Sequence, residues 1–182
     1  MGGIKFGTDG WRAVISDDFT FDNVKKVAQA VVDFINNDCP DLKVKERKIV
    51  VGYDTRFLSD KYAELMACVF GANGIKTVLS DRPTPTPSVS FAIKDRGYIG
   101  GIMITASHNP ARYNGIKYKA YYGGSAGAEV TEKFEAYLGK SGIKYKGLDE
   151  LKSNGLVEID DIISKHLQFI KSYVDLKLLK NS

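Results

Sequence analysis

The amino-acid sequence predicts an α/β domain of three layers, an α/β/α arrangement in which helices cover both faces of a mixed, mostly parallel sheet. Three observations predict it. Short, continuously apolar runs such as KIVVGY at 48–53 and YIGGIMI at 98–104 read as strands buried on both faces rather than on one. Segments with apolar residues at helical spacing alternate with those runs. Each changeover carries glycine, proline or a small polar capping residue. The 182 residues are 43% hydrophobic and 26% charged, the balance of a globular domain, which excludes a largely disordered chain.

A short strand is expected near Ile4 to Phe6, followed by a polar loop. In Asp22–Asp38 the residues Val24, Val27, Val31, Phe34 and Ile35 recur on one helical face, with Thr20 or Asp22 as the cap. Lys48 to Tyr53 is the first buried strand. Ser59 is expected to cap an amphipathic helix that ends at Gly74. Ile75 to Leu79 reads as a strand, and the proline-rich RPTPTPS leads into a helix through Arg96 with Thr86 as N-cap and Pro87 at its first position. Tyr98 to Ile104 is the most apolar strand. Ile116 to Tyr122 alternates with Lys117 and Lys119 and so reads as an edge or partly wet strand. A helix from Gly127 to Leu138 follows, then a glycine- and lysine-rich surface excursion from Lys140 to Asn154, then a final helix over Ile159 to Leu179. No internal repeat is visible. The organisation expected is a domain over 1–158 and a C-terminal helix over 159–182.

The formal net charge of +4 suits anionic ligands, but it is too small and too scattered to argue for nucleic acid. Cys39 and Cys68 share no metal-ligand spacing with each other or with His108 and His166, so neither structural zinc nor a disulfide framework is expected. The N-terminal residues lack an apolar signal region, and no apolar stretch is long enough to span a bilayer. A reducing cytoplasm is the expected location.

In parallel sheets ligands gather at the carboxyl ends of the strands. The loop leaving the most apolar strand, TASHNPARYNG at 105–115, brings hydroxyls, an imidazole, amides and Arg112 to that edge, and Lys117 follows it. A serine in such a turn is most often a turn former and a neighbouring histidine most often a surface residue. Two further loops, GTDGWR at 7–12 and YDTR at 53–56, each bring an Asp and an Arg to the same expected edge. Three such loops would orient phosphoryl oxygens through guanidinium and backbone N–H groups. Arg56 could equally pair with Asp54 or Asp9 and fix its loop.

Those motifs closely resemble the N-terminal domain of the α-D-phosphohexomutases, the phosphoglucomutase and phosphomannomutase superfamily. FGTDGWR at 6–12, GYDTR at 52–56, PTP followed by Ser88, TASHNP at 105–110 and NGIK at 114–117 carry the resemblance, which spans roughly 4–128. The resemblance implies that Ser107 is phosphorylated and passes its phosphoryl group between the 1- and 6-oxygens of a hexose through a bisphosphate intermediate. It further implies electrostatic or proton-transfer roles for His108 and Lys117, an active-site role for Arg12, and phosphate or substrate contacts for Thr8, Arg56 and Asn109. Mg²⁺ would be bound through the Ser107 phosphate, with its other ligands on an Asp-rich loop of a later domain, and a hexose 1,6-bisphosphate would act as activator. Asp17–Asp18 and Asp160–Asp161 are better read as solvated caps than as hard-cation ligands. The chain is thus expected to be the first domain of a longer enzyme, inactive by itself, whose partners are a phosphorylated hexose and the remaining mutase domains, without nucleic acid or membrane.

Two rivals remain. GGSAG at 123–127 matches the G-x-S-x-G nucleophile elbow, and Ser125 with Asp160 or Asp161 and His166 would make a serine hydrolase. Its weakness is the preceding lysine-bearing strand, since an elbow normally tops a buried one. A non-catalytic interaction module is the other.

Overall fold

The computed structural model describes residues 3–7, 10–39 and 47–174. Among these, six strands form one sheet: β1 (Trp11–Val14), β2 (Lys48–Tyr53), β3 (Lys76–Ser80), β4 (Gly100–Ile104), β5 (Tyr113–Ala120) and β6 (Val157–Asp160), in the order β1-β5-β4-β2-β3-β6. The pairs β4–β2, β2–β3 and β3–β6 are parallel and the pairs β5–β4 and β1–β5 antiparallel, so the sheet is mixed and mostly parallel.

The helices α1 (Phe21–Asn37), α2 (Ser59–Ala72), α3 (Thr86–Arg96), α4 (Ala128–Tyr137), α5 (Leu148–Ser153) and α6 (Ser164–Ser172) complete the layers. Alternate side chains of the buried strands feed opposite cores, as the period of two requires. Ile49, Val51, Ile102 and Ile104 join the large core shared with α1, α2 and α4, whereas Val50, Val78 and Met103 join the smaller one beneath α3. The centre of the large core is aromatic: the rings of Phe34, Tyr118 and Phe6 lie 5.1, 5.1 and 5.6 Å from that of the fully buried Phe134. Helix α3 can approach because β2 and β4 present Gly52 and Gly101 beneath it; a Cβ on Gly101 would stand 2.8 Å from Ile93 and 2.9 Å from Val50.

Several elements differ from the sequence expectation for identifiable reasons. The first strand is Trp11–Val14, not Ile4–Phe6, because the alternation of Trp11 and Ala13 inward with Arg12 and Val14 outward is what pairing to β5 selects. β5 is an interior strand, held by β4 and β1, and Lys117 and Lys119 are buried rather than wet. Thr20 caps α1, its Oγ1 accepting from the Asn23 N–H at 3.2 Å. Ser59 does not cap α2, since Leu58 occupies the capping position in a left-handed conformation, and Pro85 rather than Thr86 precedes α3. The stretch 140–154 is not wholly a surface excursion: it contains α5, whose Leu151 is fully buried against α2 beside Gly71. Residues 157–160 form β6, so a division between 158 and 159 falls inside a strand of the sheet. The final helix begins at Ser164, and 175–182 lie outside the described residues. Among the described residues no helix is long and apolar enough to cross a membrane.

Candidate active site

The parallel strands end at Tyr53, Ser80, Ile104 and Asp160, and the loop 105–112 leaves the centre of that edge. It is an ordered turn. The Ser107 N–H donates to Thr105 Oγ1 at 2.9 Å, the Asn109 N–H to the Ala106 carbonyl at 3.1 Å, and the Tyr113 N–H to the Pro110 carbonyl at 3.0 Å. Ser107 sits at φ 56°, a left-handed conformation that costs a non-glycine residue about 1 kcal/mol or more. That backbone lifts its side chain into solvent, where Oγ lies 3.5 Å from His108 Nδ1.

Arg12 reaches this loop from a different strand. β5 runs beyond the end of β4, and β1 pairs with that protruding part and with Ile116, which also pairs with β4, Trp11 standing opposite Ile116 and Val14 opposite Tyr113. Arg12 therefore arrives at the site from the start of its own strand, not from a loop that follows one as the sequence suggested. Arg12 stands opposite Gly115, two residues from Lys117, so both cations project from one face of the sheet. Gly115 has no side chain to obstruct the stem of Arg12, and a Cβ there would meet Arg12 Cγ at 3.0 Å and two backbone carbonyls closer still. Arg12 Nη1 then donates to Asn109 Oδ1 at 2.9 Å. Ser107, His108, Asn109, Arg12 and Lys117 are thus gathered at one end of the sheet. Thr8 and Asp9 lie outside the described residues.

Arg56 plays a part that the sequence left open. Its Nη1 donates to the carbonyls of Pro110 and Tyr113 at 2.9 and 3.0 Å, its Nη2 to those of Ser107 and Asn109 at 2.8 and 2.6 Å, and its Nε lies 3.3 Å from Asp54 Oδ2. The two Nη groups thus donate to four loop carbonyls while Nε is ion-paired with Asp54. Arg56 is therefore a clamp on the serine loop, and the expectation that it contacts phosphate gives way to this geometry. Asp54, Thr55, Arg56 and Phe57, with Ser107 and Ala111, line an open cavity of about 470 Å³ at the loop. Sequence reasoning missed Ser59 and Asn114, both fully shielded from solvent and both hydrogen-bonded behind the clamp. No local signal marks them: Ser59 stands between Leu58 and Asp60 and Asn114 between Tyr113 and Gly115, 55 positions away.

The hydrolase constellation does not assemble. Ser125 Oγ accepts from Lys119 Nζ at 2.9 Å, while His166 Nδ1 is 2.8 Å from Ser88 Oγ and its ring stacks on Phe91. Asp160 pairs with Arg96, and Asp161 pairs with Arg82 and receives the N–H groups of Ile163 and Ser164 that open α6. Ser164 foremost, through its hydroxyl and its N–H, and then the Ile163 N–H hold the Asp161 carboxyl well below the usual carboxylate range.

Comparison with known proteins agrees with this fold. Residues 3–143 match the family model described as phosphoglucomutase/phosphomannomutase, alpha/beta/alpha domain I. A phosphoglucomutase of Staphylococcus saprophyticus is 38% identical over 143 residues, which are 75% of this chain and 24% of that protein. A phosphoglucosamine/phosphogalactosamine mutase of Sulfurisphaera tokodaii is 32% identical over 175 residues, 96% of this chain and 36% of its own length. The solved structure of a Thermus thermophilus protein assigned as a phosphomannomutase superposes with a TM-score of 0.83 at 34% identity, covering 97% of this chain and 37% of that one. The chain spans between a quarter and slightly over a third of the length of these relatives. With its mixed sheet, its flanking helices and the match over 3–143, the chain belongs to the phosphoglucomutase/phosphomannomutase family, whose first α/β/α domain it carries.

Proposed function

We propose that this chain is the phosphoserine-bearing domain of a phosphohexomutase that interconverts hexose 1-phosphates and hexose 6-phosphates. The observation that carries the reading is Ser107 itself, held in a left-handed turn at a strand end with its hydroxyl exposed beside His108 and with two cations of one sheet face behind it. The relatives' names, for glucose, glucosamine, galactosamine and mannose phosphates, support a hexose phosphate as the substrate class.

In the forward half-reaction the bond from phosphorus to Ser107 Oγ breaks as a bond from phosphorus to a sugar hydroxyl oxygen forms. The hydroxyl proton leaves to a base, and Oγ takes up a proton. The product is a hexose 1,6-bisphosphate, and return of its other phosphoryl group to Oγ restores the phosphoserine. Such a transfer needs dispersed positive charge and in-line placement more than covalent assistance. Arg12 and Lys117 supply charge, and Asn109 holds the Arg12 guanidinium beside the loop. His108, 3.5 Å from Oγ, comes within proton-transfer distance by a side-chain rotation.

The resemblance implies Mg²⁺. Among the described residues no group of three or more His, Cys, Asp or Glu side chains could hold a metal ion, so these residues do not form a Mg²⁺ site. The ligand they offer is a phosphate oxygen on Ser107, where the cation would offset the charge of about −1.5 to −2 that a phosphoserine carries at pH 7. A cytoplasmic location and partnership with further mutase domains complete the reading.

Phosphopeptide mapping of the protein purified from cells tests it. Phosphate is expected on the peptide containing Ser107, and Ser107→Ala in the full-length protein is expected to remove both that phosphate and mutase turnover. A Ser107→Ala protein with undiminished turnover refutes the reading.

A further inference from the structure

We infer that Asn114 and Ser59, both buried behind the Arg56 clamp, are positioning residues that fix the serine loop through a directed relay of hydrogen bonds ending on that clamp. The inference rests on the phosphoserine reading for its consequence in catalysis, but its structural half stands on the contacts alone.

The relay has one direction. Asn114, at the start of β5 and 0% exposed, accepts the Gly115 N–H on Oδ1 at 2.8 Å, which leaves its Nδ2 as a two-proton donor. That nitrogen donates to Ser59 Oγ at 2.9 Å and to the Phe57 carbonyl at 3.3 Å. Ser59, also 0% exposed, has one hydroxyl proton; with Asn114 donating to its oxygen, that proton goes to Asp54 Oδ1, 2.7 Å away. Asp54 Oδ1 also receives the Arg56 N–H at 2.9 Å, and Asp54 Oδ2 holds Arg56 Nε at 3.3 Å. Arg56 then grips the carbonyls of Ser107, Asn109, Pro110 and Tyr113.

Each member limits its neighbour's freedom. The guanidinium fork is planar, so fixing Nε through Asp54 fixes the plane in which the two Nη groups meet the four carbonyls. The carboxylate is fixed in turn by Ser59 and by the Arg56 N–H. Two residues with left-handed backbone conformation, Leu58 at φ 60° and Ser107 at φ 56°, sit at the two ends of the relay. Strained positions of this kind persist where their surroundings over-determine them, and here Asn114 holds the carbonyl before Leu58 while Arg56 holds the carbonyl of Ser107 itself. The relay also explains why Asn, rather than its isostere Asp, stands at 114. A carboxylate would turn an acceptor towards the Phe57 carbonyl and compete with Asp54 for the single Ser59 proton, leaving buried oxygens unsatisfied.

The experiment uses three variants: Ser59→Ala, Asn114→Asp and, at the clamp itself, Arg56→Lys, which keeps the charge but not the fork. Amide hydrogen exchange by NMR reads the loop through the hydrogen-bonded N–H groups of Ser107, Asn109 and Tyr113 and reads the fold through the amides of β2 and β4. In all three variants the loop amides are expected to exchange at least tenfold faster while the strand amides keep their rates, and in the Ser59 and Asn114 variants the Arg56 Nε–H resonance is expected to shift. In the full-length protein, turnover per site is expected to fall tenfold or more with KM for the hexose phosphate changed less than twofold, because the loop places the phosphoryl group and does not hold the sugar. Unchanged loop exchange in Ser59→Ala and Arg56→Lys, or acceleration shared equally by loop and strands, overturns the relay. Ser107-dependent turnover that none of the three variants alters overturns its role in catalysis and leaves the phosphoserine reading standing. Absence of Ser107-dependent turnover in the unaltered protein overturns the phosphoserine reading and the catalytic role together, while the exchange data still decide whether the relay holds the loop.

Discussion

Ser107 combines two properties that a turn serine seldom has together, a side chain exposed to solvent and a backbone at φ 56°. Relief of that strain is measurable apart from chemistry. Ser107→Gly is expected to unfold at higher urea than Ser107→Ala, by about 1 kcal/mol after allowance for the greater freedom of an unfolded glycine, since glycine alone adopts the left-handed region without a Cβ clash. On the proposed phosphoserine reading both variants lack the acceptor hydroxyl, so stability and turnover should part company: the glycine protein more stable, both inactive. A Ser107→Gly protein less stable than Ser107→Ala, by about the 0.4–1 kcal/mol that glycine's freedom in the unfolded chain costs, would show that the left-handed turn carries no strain. At this scale the motif was legible and the division of labour was not. Ser107 and His108 were legible through their company, since a turn serine is most often only a turn former: two further loops bearing an Asp and an Arg are expected at the same edge, and TASHNP with NGIK resembles the phosphohexomutase motifs. Arg56 carried the same formal charge as Arg12, and charge alone does not reveal that the acceptors around it are the loop's own carbonyls. The relay through Ser59 and Asn114 was invisible because it joins residues 55 positions apart that meet only once β5 lies beside the start of α2.

The elements that sequence periodicity placed well are those buried on both faces. β2 has the bounds that KIVVGY suggested, and α3 lies where the proline-rich approach and Gly97 set its ends. The glycines beneath α3 then make a specific demand. Gly101→Val would drive a branched side chain into Ile93, Val50 and Val89, and overpacking of this kind costs roughly 1–3 kcal/mol. Urea unfolding of Gly101→Val checks it, and a variant as stable as the parent would show that α3 moves aside freely. The elements misread are those whose periodicity was blurred by function or by partial cover. β5 looked wet because Lys117 and Lys119 alternate along it, yet they are buried at an interior strand. β6 and α5 were hidden in a polar stretch because each offers few inward side chains, Leu151 from α5 and Val157 from β6. At the other end of β6, Asp161 opens α6, and its carboxyl is held below the usual range chiefly by Ser164. A group whose folded value is depressed contributes stability above its unfolded value, near pH 4, and loses it as the pH falls towards the folded value. The amides of Ile163 and Ser164 are therefore expected to lose protection below about pH 4 in the parent but to show no such pH dependence in Asp161→Asn. Identical pH profiles for the two proteins would exclude Asp161 as the source.

At the scale of the whole molecule, the parts present decide what the chain can do by itself. It folds around a large core with α1, α2 and α4 on one side of the sheet and a smaller one with α3 on the other, and it matches 97% of its own length to a solved structure of the same family while spanning 37% of that chain. On the proposed reading it brings to the reaction an acceptor hydroxyl, an imidazole, and the charges of Arg12 and Lys117. On that reading the reaction would need besides a cation facing the phosphoserine and a second grip on the sugar phosphate. Among the described residues no cluster of three metal-ligating side chains exists, and the cavity at Ser107 is lined on its protein side by Asp54, Thr55, Arg56 and Phe57, with the Arg56 guanidinium already occupied by the loop. A hexose phosphate would meet one wall of a site. Loss of in-line placement alone can raise a barrier by several kcal/mol, since well-oriented reactions gain about 7–11 kcal/mol from proximity and orientation. The 182-residue chain is accordingly expected to be silent when glucose 1-phosphate is offered with Mg²⁺ and glucose 1,6-bisphosphate and glucose 6-phosphate is read by a coupled assay. Turnover of roughly 1 s⁻¹ or more, the range of ordinary enzymes, would show that one domain of this family assembles a complete site, and the reading of this chain as a single wall of a larger one would fall.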